Sequence, residues 1–300
     1  MKFVDASDPA FIAAAQIGAF KGAVKNLANN VYHGLKPYHS STALKYLQAK
    51  SPAHFKAKYI DPQAEQKEPT SAMILGTLVH CLLLTPAEYQ KEFLILPELN
   101  LRTNEGKEKK AELLAANPNK VLITDEQLSI AGAMCESARS NPQVKPLLES
   151  GHKEASFFWT CPFSGLNFKA KCDSASSKQL IELKTTSDAG PENFARHAYN
   201  MNYDLSLIHY RQGIRTIMDV EPPAYFIVIE SEAPYVTQVY KASDAMLETG
   251  HAKWLEAVTK LANGMQKQEW PGYFSQAEIP ELSPPAWAMN KLMKEEMSGI

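Results

Sequence analysis

The sequence predicts an α/β fold, a mixed central sheet flanked by helices. Three observations predict it. Three alternating segments follow one another between residues 154 and 185, a second strand pair lies at 225–241, and helical periodicity surrounds both. The order of helices, three strands, helix, strand pair and helix suits one α/β domain. Three hundred residues, 45% of them apolar, can bury a substantial core. No apolar run approaches the ~18 residues a membrane-spanning helix needs. The N-terminus carries Lys2, Asp5 and Asp8 rather than a basic-then-apolar leader, so a cytoplasmic location is expected. Cys81, Cys135, Cys161 and Cys172 lack CxxC or Cys/His spacing and read as core residues in a reducing compartment. A formal net charge of −2 gives no general nucleic-acid signature, so any contact with DNA has to come from local basic patches and metal ions.

In chain order, an Ala-rich stretch at 11–27 reads as a helix. Ser40, Ser41 and Thr42 offer caps for a helix at 43–49, and Pro52 opens a second that ends near Tyr59. Residues 61–69 are a charged loop. Thr70 or Ser71 caps a helix whose Ile74, Leu75, Leu78, Val79, Leu82 and Leu83 spacing predicts deep burial. His80 lies inside that helix, one turn after Gly76. A lone histidine there is either a satisfied core residue or a ligand. Residues 97–111 are polar and basic, with Arg102, Lys107, Lys109 and Lys110 around Gly106. They read as a loop entering a helix, either a solvated face or a phosphate-contacting segment. Thr124-Asp125-Glu126-Gln127 is a capping box for a helix to about Ser140. Residues 154–160 form an aromatic strand that starts at Glu154, and Pro162–Gly165 turns it back. Helices follow at 191–199 and 203–218, the latter with Tyr203, Leu207, Tyr210, Ile214 and Ile217 on one stripe. Strands at 225–230 and 235–241, a helix at 243–265 and a Pro-rich tail complete the chain.

The chemistry concentrates in 167–186. Residues 167–173 alternate, with Phe168, Ala170 and Cys172 on one face and Lys169, Lys171 and Asp173 on the other. Residues 174–178 are turn-like, and 179–185 alternate again. Leu180, Ile181 and Leu183 are expected on one face there, Glu182 and Lys184 on the other. A hairpin can then bring Asp173 beside Glu182 and Lys184. Hard divalent cations prefer such oxygens, so Asp173, Glu182 and the Leu183 carbonyl can hold Mg²⁺, and Lys184 can orient water or stabilise phosphate charge. The alternative is an amphipathic hairpin whose charges meet water. Glu-x-Lys recurs at Glu65–Lys67, Glu105–Lys107 and Glu108–Lys110, but only Glu182–Lys184 sits in an apolar strand with an Asp on the strand before.

Taken together, Gly76-Thr77-Leu78-Val79-His80, Glu154, Asp173, Glu182-Leu183-Lys184 and a tyrosine-bearing helix resemble the PD-(D/E)xK nucleases. Most closely they resemble the exonuclease VIII (RecE-type) nuclease domain. Ser51-Pro52-Ala53-His54-Phe55-Lys56 and Leu101-Arg102-Thr103-Asn104-Glu105-Gly106-Lys107 match the same pattern. The resemblance runs from about Tyr38 to Trp270. It divides the chain into an N-terminal extension (1–38), a nuclease domain with a restriction-endonuclease-like core (39–275) and a Pro-rich tail (276–300).

The resemblance implies a Mg²⁺-dependent two-metal site, with Mn²⁺ able to substitute. His80, Glu154, Asp173, Glu182 and Leu183 would serve the ions, while Lys184 positions water and Tyr210 lines the site. It implies 5′→3′ degradation of double-stranded DNA ends, leaving 3′ single strands for recombination or repair. It also implies a homotetrameric ring and a single-strand annealing (RecT-type) partner. Arg102, Lys107 and Gln212 are candidate DNA contacts. One position departs from the superfamily's Gln-x-x-x-Tyr pattern, because Ser206 stands where the glutamine is expected and Gln212 follows the tyrosine. No cysteine follows Cys172, which speaks against the iron–sulphur branch. A structure- or site-selective endonuclease and a catalytically silent DNA-binding module are the rival readings.

Overall fold

The computed structural model describes residues 3–61, 69–100, 102–274, 279–290 and 293. The expected charged loop falls largely on 62–68, outside the described residues, as do Leu101 and most of the tail beyond 290. The chain opens with β1 (Val4–Asp5), α1 (Pro9–Gln16), β2 (Gly22–Lys25) and α2 (Asn29–Gly34). Then come α3 (Ser41–Ala49), α4 (Pro52–Phe55) with a π-helical turn Lys56–Ile60, and α5 (Ser71–Leu84). A 3₁₀ turn and α6 (Tyr89–Glu92) lead to β3 (Phe93–Ile95), α7 (Asn104–Ala116), β4 (Val121–Ile123), α8 (Asp125–Ser140) and α9 (Val144–Glu149). The centre is β5 (His152–Thr160), β6 (Asn167–Ala175) and β7 (Leu180–Thr186). It is followed by α10 (Pro191–Asn200), α11 (Tyr203–Met218), β8 (Ala224–Glu230), β9 (Thr237–Lys241) and α12 (Asp244–Lys267).

Seven strands form one mixed sheet in the order β1-β2-β5-β6-β7-β8-β9, and β3 pairs with β4 in a separate ribbon. Most pairings are antiparallel; β7 and β8 run parallel because α10 and α11 carry the chain back across one face. The expected α/β class and most helix starts hold. Ser40, Thr70 and Ser243 each cap their helix through the side chain, and Thr124 and Gln127 complete both halves of the capping box.

Two expectations need correction. The Ala-rich stretch is not one helix over 11–27. It stops at Gln16, Gly18 takes φ +75°, and Gly22–Lys25 pairs with β5. Glycine supplies the left-handed turn, and strand pairing captures the rest. The first 25 residues thus supply two strands of the main sheet. The second correction concerns β7. Leu180 packs with α3, α11 and α12 on one face, while Ile181 and Leu183 pack with α5 and α8 on the other. Both faces of β7 are therefore covered, and Glu182 is only 3% exposed. The charged hairpin does not meet water.

Each layer is locked by polar groups as well as apolar ones. Buried His209 of α11 donates through Nε2 to the Lys169 carbonyl of β6 (3.0 Å) and accepts at Nδ1 from the Trp254 indole of α12 (3.2 Å). Burial pushes its pKa down to about 4, so this pattern of one donor and one acceptor persists at neutral pH. Buried Lys169 reaches the carbonyls of Tyr32 and Leu35 at the end of α2 (2.7 and 2.8 Å), satisfying acceptors that the helix leaves open. All four cysteines are free and buried, as expected.

Candidate active site

The site sits where β6 and β7 part. Their ladder holds only two pairs, Ser174 with Ile181 and Ala175 with Leu180. Beyond them the Asp173 carboxylate takes the place of a backbone acceptor: Oδ2 accepts the Leu183 N–H at 2.6 Å. The other oxygen, Oδ1, faces His80 Nδ1 of α5 at 3.4 Å. Helix α5 approaches this closely because Gly76 has no side chain; a Cβ there would lie 3.2 Å from the Thr185 hydroxyl of β7.

Glu154 reaches the same place from β5 by an unusual backbone. The β5–β6 register is continuous, Lys153 with Ser174 and Ala155 with Cys172, but the Glu154–Asp173 step between them is not paired. Glu154 has φ +50°, a region that non-glycine residues enter at a cost and mostly at functional sites. Its carboxylate is held by Lys171 at 3.0 Å. The result is that His80, Glu154 and Asp173 offer ligand atoms all within 4.8 Å of one another.

Glu182 and Lys184 stand beside this group. Lys184 Nζ donates to Glu182 Oε2 at 2.7 Å and to the Leu183 carbonyl at 3.0 Å. Glu182 Oε1 is buried with no hydrogen-bond partner among the described residues. Such an orphan acceptor is costly unless a cation or donor completes it. That oxygen, two more carboxylates, a carbonyl and an imidazole form a donor set that suits a divalent cation.

The charges are strongly coupled. Burial raises the Glu182 pKa, and the Asp173 charge adds to this against the pull of Lys184, bringing it to about 7. Burial would raise that of Asp173 too, but His80 and Lys184 hold it down at about 2. Burial opposes the charged form of His80, yet Asp173 wins and raises its pKa. Burial likewise opposes the charge on Lys184, but Glu182 and Asp173 raise its pKa, so the ammonium stays charged.

Several neighbours carry no signal in a motif. Lys184 Nζ lies 5.3 Å from the centre of the Tyr203 ring, and Lys45 Nζ of α3 lies at the same distance from that ring. Burial, then Lys184, pushes the Lys45 pKa down to about 8. Tyr210 accepts a hydrogen bond from the Ser41 hydroxyl at 3.2 Å, and burial and Glu182 keep its phenol protonated. Ser206 instead bonds the Asn202 carbonyl on its own helix. Lys171 and Tyr203 could have been found by period-two and helical spacing from Asp173 and Tyr210; Lys45 could not.

The structure does not bring all the expected residues together. Gln212 lines a cleft of about 330 Å³ with Arg211, Arg215, Glu221 and His251 between α11 and α12. Two residues on from Tyr210, it points to another side of α11. Arg102 and Lys107 are exposed around the start of α7, where the expected loop enters the helix with Thr103 as its cap.

This geometry can be set against known proteins. A family model described as a PDDEXK-like domain of unknown function (DUF3799) matches residues 40–282. The chain belongs to that PDDEXK-like family. The PD-(D/E)xK kinship expected from the motifs is thereby shown, and with it the restriction-endonuclease-like core. The crystal structure of a "putative exonuclease" from Eubacterium rectale has the same fold. Its TM-score is 0.60 at 14% identity, over 89% of this chain and 98% of that one. A second structure, SSO0001, aligns at TM-score 0.27 and 12% identity over 78% of this chain and 88% of that one. No curated protein matches the chain. No single helix among the described residues is long and apolar enough to cross a membrane.

Proposed function

We propose that the protein is a metal-dependent nuclease whose centre is His80, Glu154, Asp173, Glu182 and the Leu183 carbonyl, with Lys184 as the charged partner of the phosphate. The observation that carries this reading is the convergence of three ligand-type side chains beside an orphaned carboxylate oxygen, in a PDDEXK-like chain. A bound divalent ion, Mg²⁺ or Mn²⁺, would supply Lewis-acid polarisation of a phosphoryl oxygen and a lowered pKa for water. The chain's own residues do the rest. Asp173 is held by the Leu183 amide and His80, so its oxygens are preorganised. Lys184 keeps its proton and supplies positive charge where phosphodiester hydrolysis builds negative charge. Tyr203 and Tyr210 wall the site from α11.

We further propose that the substrate is duplex DNA with free ends, degraded 5′→3′ to leave 3′ single strands. The sequence resemblance to RecE-type domains supports this, and the name of the Eubacterium rectale relative agrees with an exonuclease. On the same basis a ring of four copies would carry processivity, and an annealing protein would take the product. Linear duplex labelled separately at each 5′ and 3′ end, incubated beside a closed circle with Mg²⁺ or chelator, tests the reading. Early metal-dependent loss of the 5′ label with the circle intact is expected. Cleavage of the circle selects the endonuclease, and persistence of all DNA rejects catalysis.

A further inference from the structure

Residues 40–60 contain Lys45, Lys50, Lys56 and Lys58 and no acidic residue, in a chain whose net charge is −2. They form α3, α4 and the π-helical turn. One end of this basic segment lies in the site, because Lys45 shares the Tyr203 ring with Lys184. The other end is aromatic. Trp270, Phe55 and Tyr59 form a continuous stack: Trp270 on Phe55 at 5.6 Å and 13°, Phe55 on Tyr59 at 4.9 Å and 27°. Phe55 is fully buried, whereas Tyr59 is 38% exposed and ends the column. Tyr46 meets Tyr59 edge-on at 5.7 Å, and Lys58 Nζ lies 4.3 Å from the Tyr46 ring and 5.4 Å from that of Tyr59. A column of stacked rings that ends at the surface under an ammonium has the elements of a site for an unpaired base and its phosphate: a π-face and a cation. The irregular turn that presents Tyr59 is π-helical, a form that recurs at functional sites.

We infer that Tyr59, flanked by Tyr46 and Lys58, is a stacking platform for a nucleobase of the strand held at the metal centre. The inference rests on the nuclease reading of that centre and adds what the reading lacks, a contact with an unpaired base. Such a base is free on one face, because a ring can stack on Tyr59 only after its own neighbour on that side has left it, and the single-stranded form frees every base in this way. Lys45, which reaches the centre, and Tyr46, which flanks the platform, are neighbours on α3.

The test uses the full chain and a short single-stranded oligonucleotide carrying one 2-aminopurine, moved position by position. Ca²⁺, which takes the same kind of oxygen ligands, replaces Mg²⁺ during binding. Quenching at one position is expected, lost in Tyr59→Ala with affinity weakened by about 5-fold or more, and restored in Tyr59→Trp. A Tyr59→Ala melting curve matching that of the parent shows that the column itself is intact; if Tyr59→Ala unfolds, Tyr59→Leu, apolar but without a π-face, takes its place. Quenching that survives removal of the ring, or is absent from the parent, overturns the platform even where metal-dependent cleavage of duplex ends is normal. Absent cleavage with position-specific quenching overturns the nuclease reading and leaves the base site standing.

Discussion

At the scale of single residues the site is a set of conflicts that a bound cation would resolve. Glu182 is buried with one oxygen on Lys184 and the other without a partner among the described residues. In the proposed mechanism Asp173 and Lys184 are the least replaceable members, one as ligand and one as fixed charge. Asp173→Ala and Lys184→Ala are expected to lower cleavage by at least about 100-fold while circular dichroism stays unchanged. Activity close to that of the parent in either variant would remove the proposed mechanism. The His80–Asp173 pair makes a separate prediction for the metal-free protein. The Asp173 pKa is depressed from 3.8 to about 2, so its contribution to stability is present above the unfolded value and fades as pH falls toward 2. That of His80 is raised above 6.5, so its contribution is present below that value and is lost as pH climbs through the folded pKa. Both contributions overlap between about pH 4 and 6.5. In chelator, His80→Asn is therefore expected to lower the melting temperature more at about pH 5 than at about pH 8. An equal loss at both would reduce His80 to packing.

Elements position these residues through close approaches that glycine permits. A Cβ on Gly250 of α12 would lie 2.4 Å from the Asp204 carbonyl oxygen of α11, a backbone atom with nowhere to go. Gly250→Ala is expected to cost about 1–3 kcal/mol in urea unfolding, because α12 must shift off α11. Gly132 in the middle of α8 meets nothing within 4 Å, so Gly132→Ala is expected to stabilise by about 0.5–1 kcal/mol. Opposite signs for two Gly→Ala changes in helices separate contact from propensity; equal signs would refute the contact account. The same distinction explains what the sequence reveals. Helix α5, the α8 capping box and β5–β7 are legible because their signals are local: caps, 3.6-residue apolar spacing and alternation. β3 and β4, at three residues each, are too short for a period to show. The stretch around residues 11–27 misleads because its alanines are helix formers while Gly18 and the partner strand β5 decide otherwise. Asp173, Glu182 and Lys184 are readable from alternation, but their burial is not, since α5 meets Asp173 through His80 while α3 and α11 bring Lys45, Tyr203 and Tyr210 to Lys184 and Glu182 from distant parts of the chain. Glu154 joins them only through a φ of +50° that no residue type announces.

For the whole molecule, the proposed function sets a difficulty, since an acidic chain would have to hold a polyanion. Net charge is −2, so attraction to DNA cannot be diffuse and must come from one side. No acidic residue occurs between Asp8 and Asp61, and within that run the segment 40–60 is the part that fits, because its α3 end reaches the centre through Lys45. Lys56 and Lys58 are exposed on the π-helical turn, with no acidic residue between Ser40 and Ile60 to neutralise them. Each phosphate contact by a lysine releases condensed counterions, so log K falls with log salt by about 0.9 per contact on duplex DNA. Replacing both lysines, Lys56→Ala with Lys58→Ala, is expected to flatten that slope by about two contacts and to weaken binding equally on unrelated sequences. The same double change at Lys109 and Lys110 on α7 is the matched control, since Lys109 is already paired with Glu105 at 2.8 Å. If the α7 pair flattens the slope and the 56/58 pair does not, DNA enters past α7, on the side of the expected phosphate contacts Arg102 and Lys107.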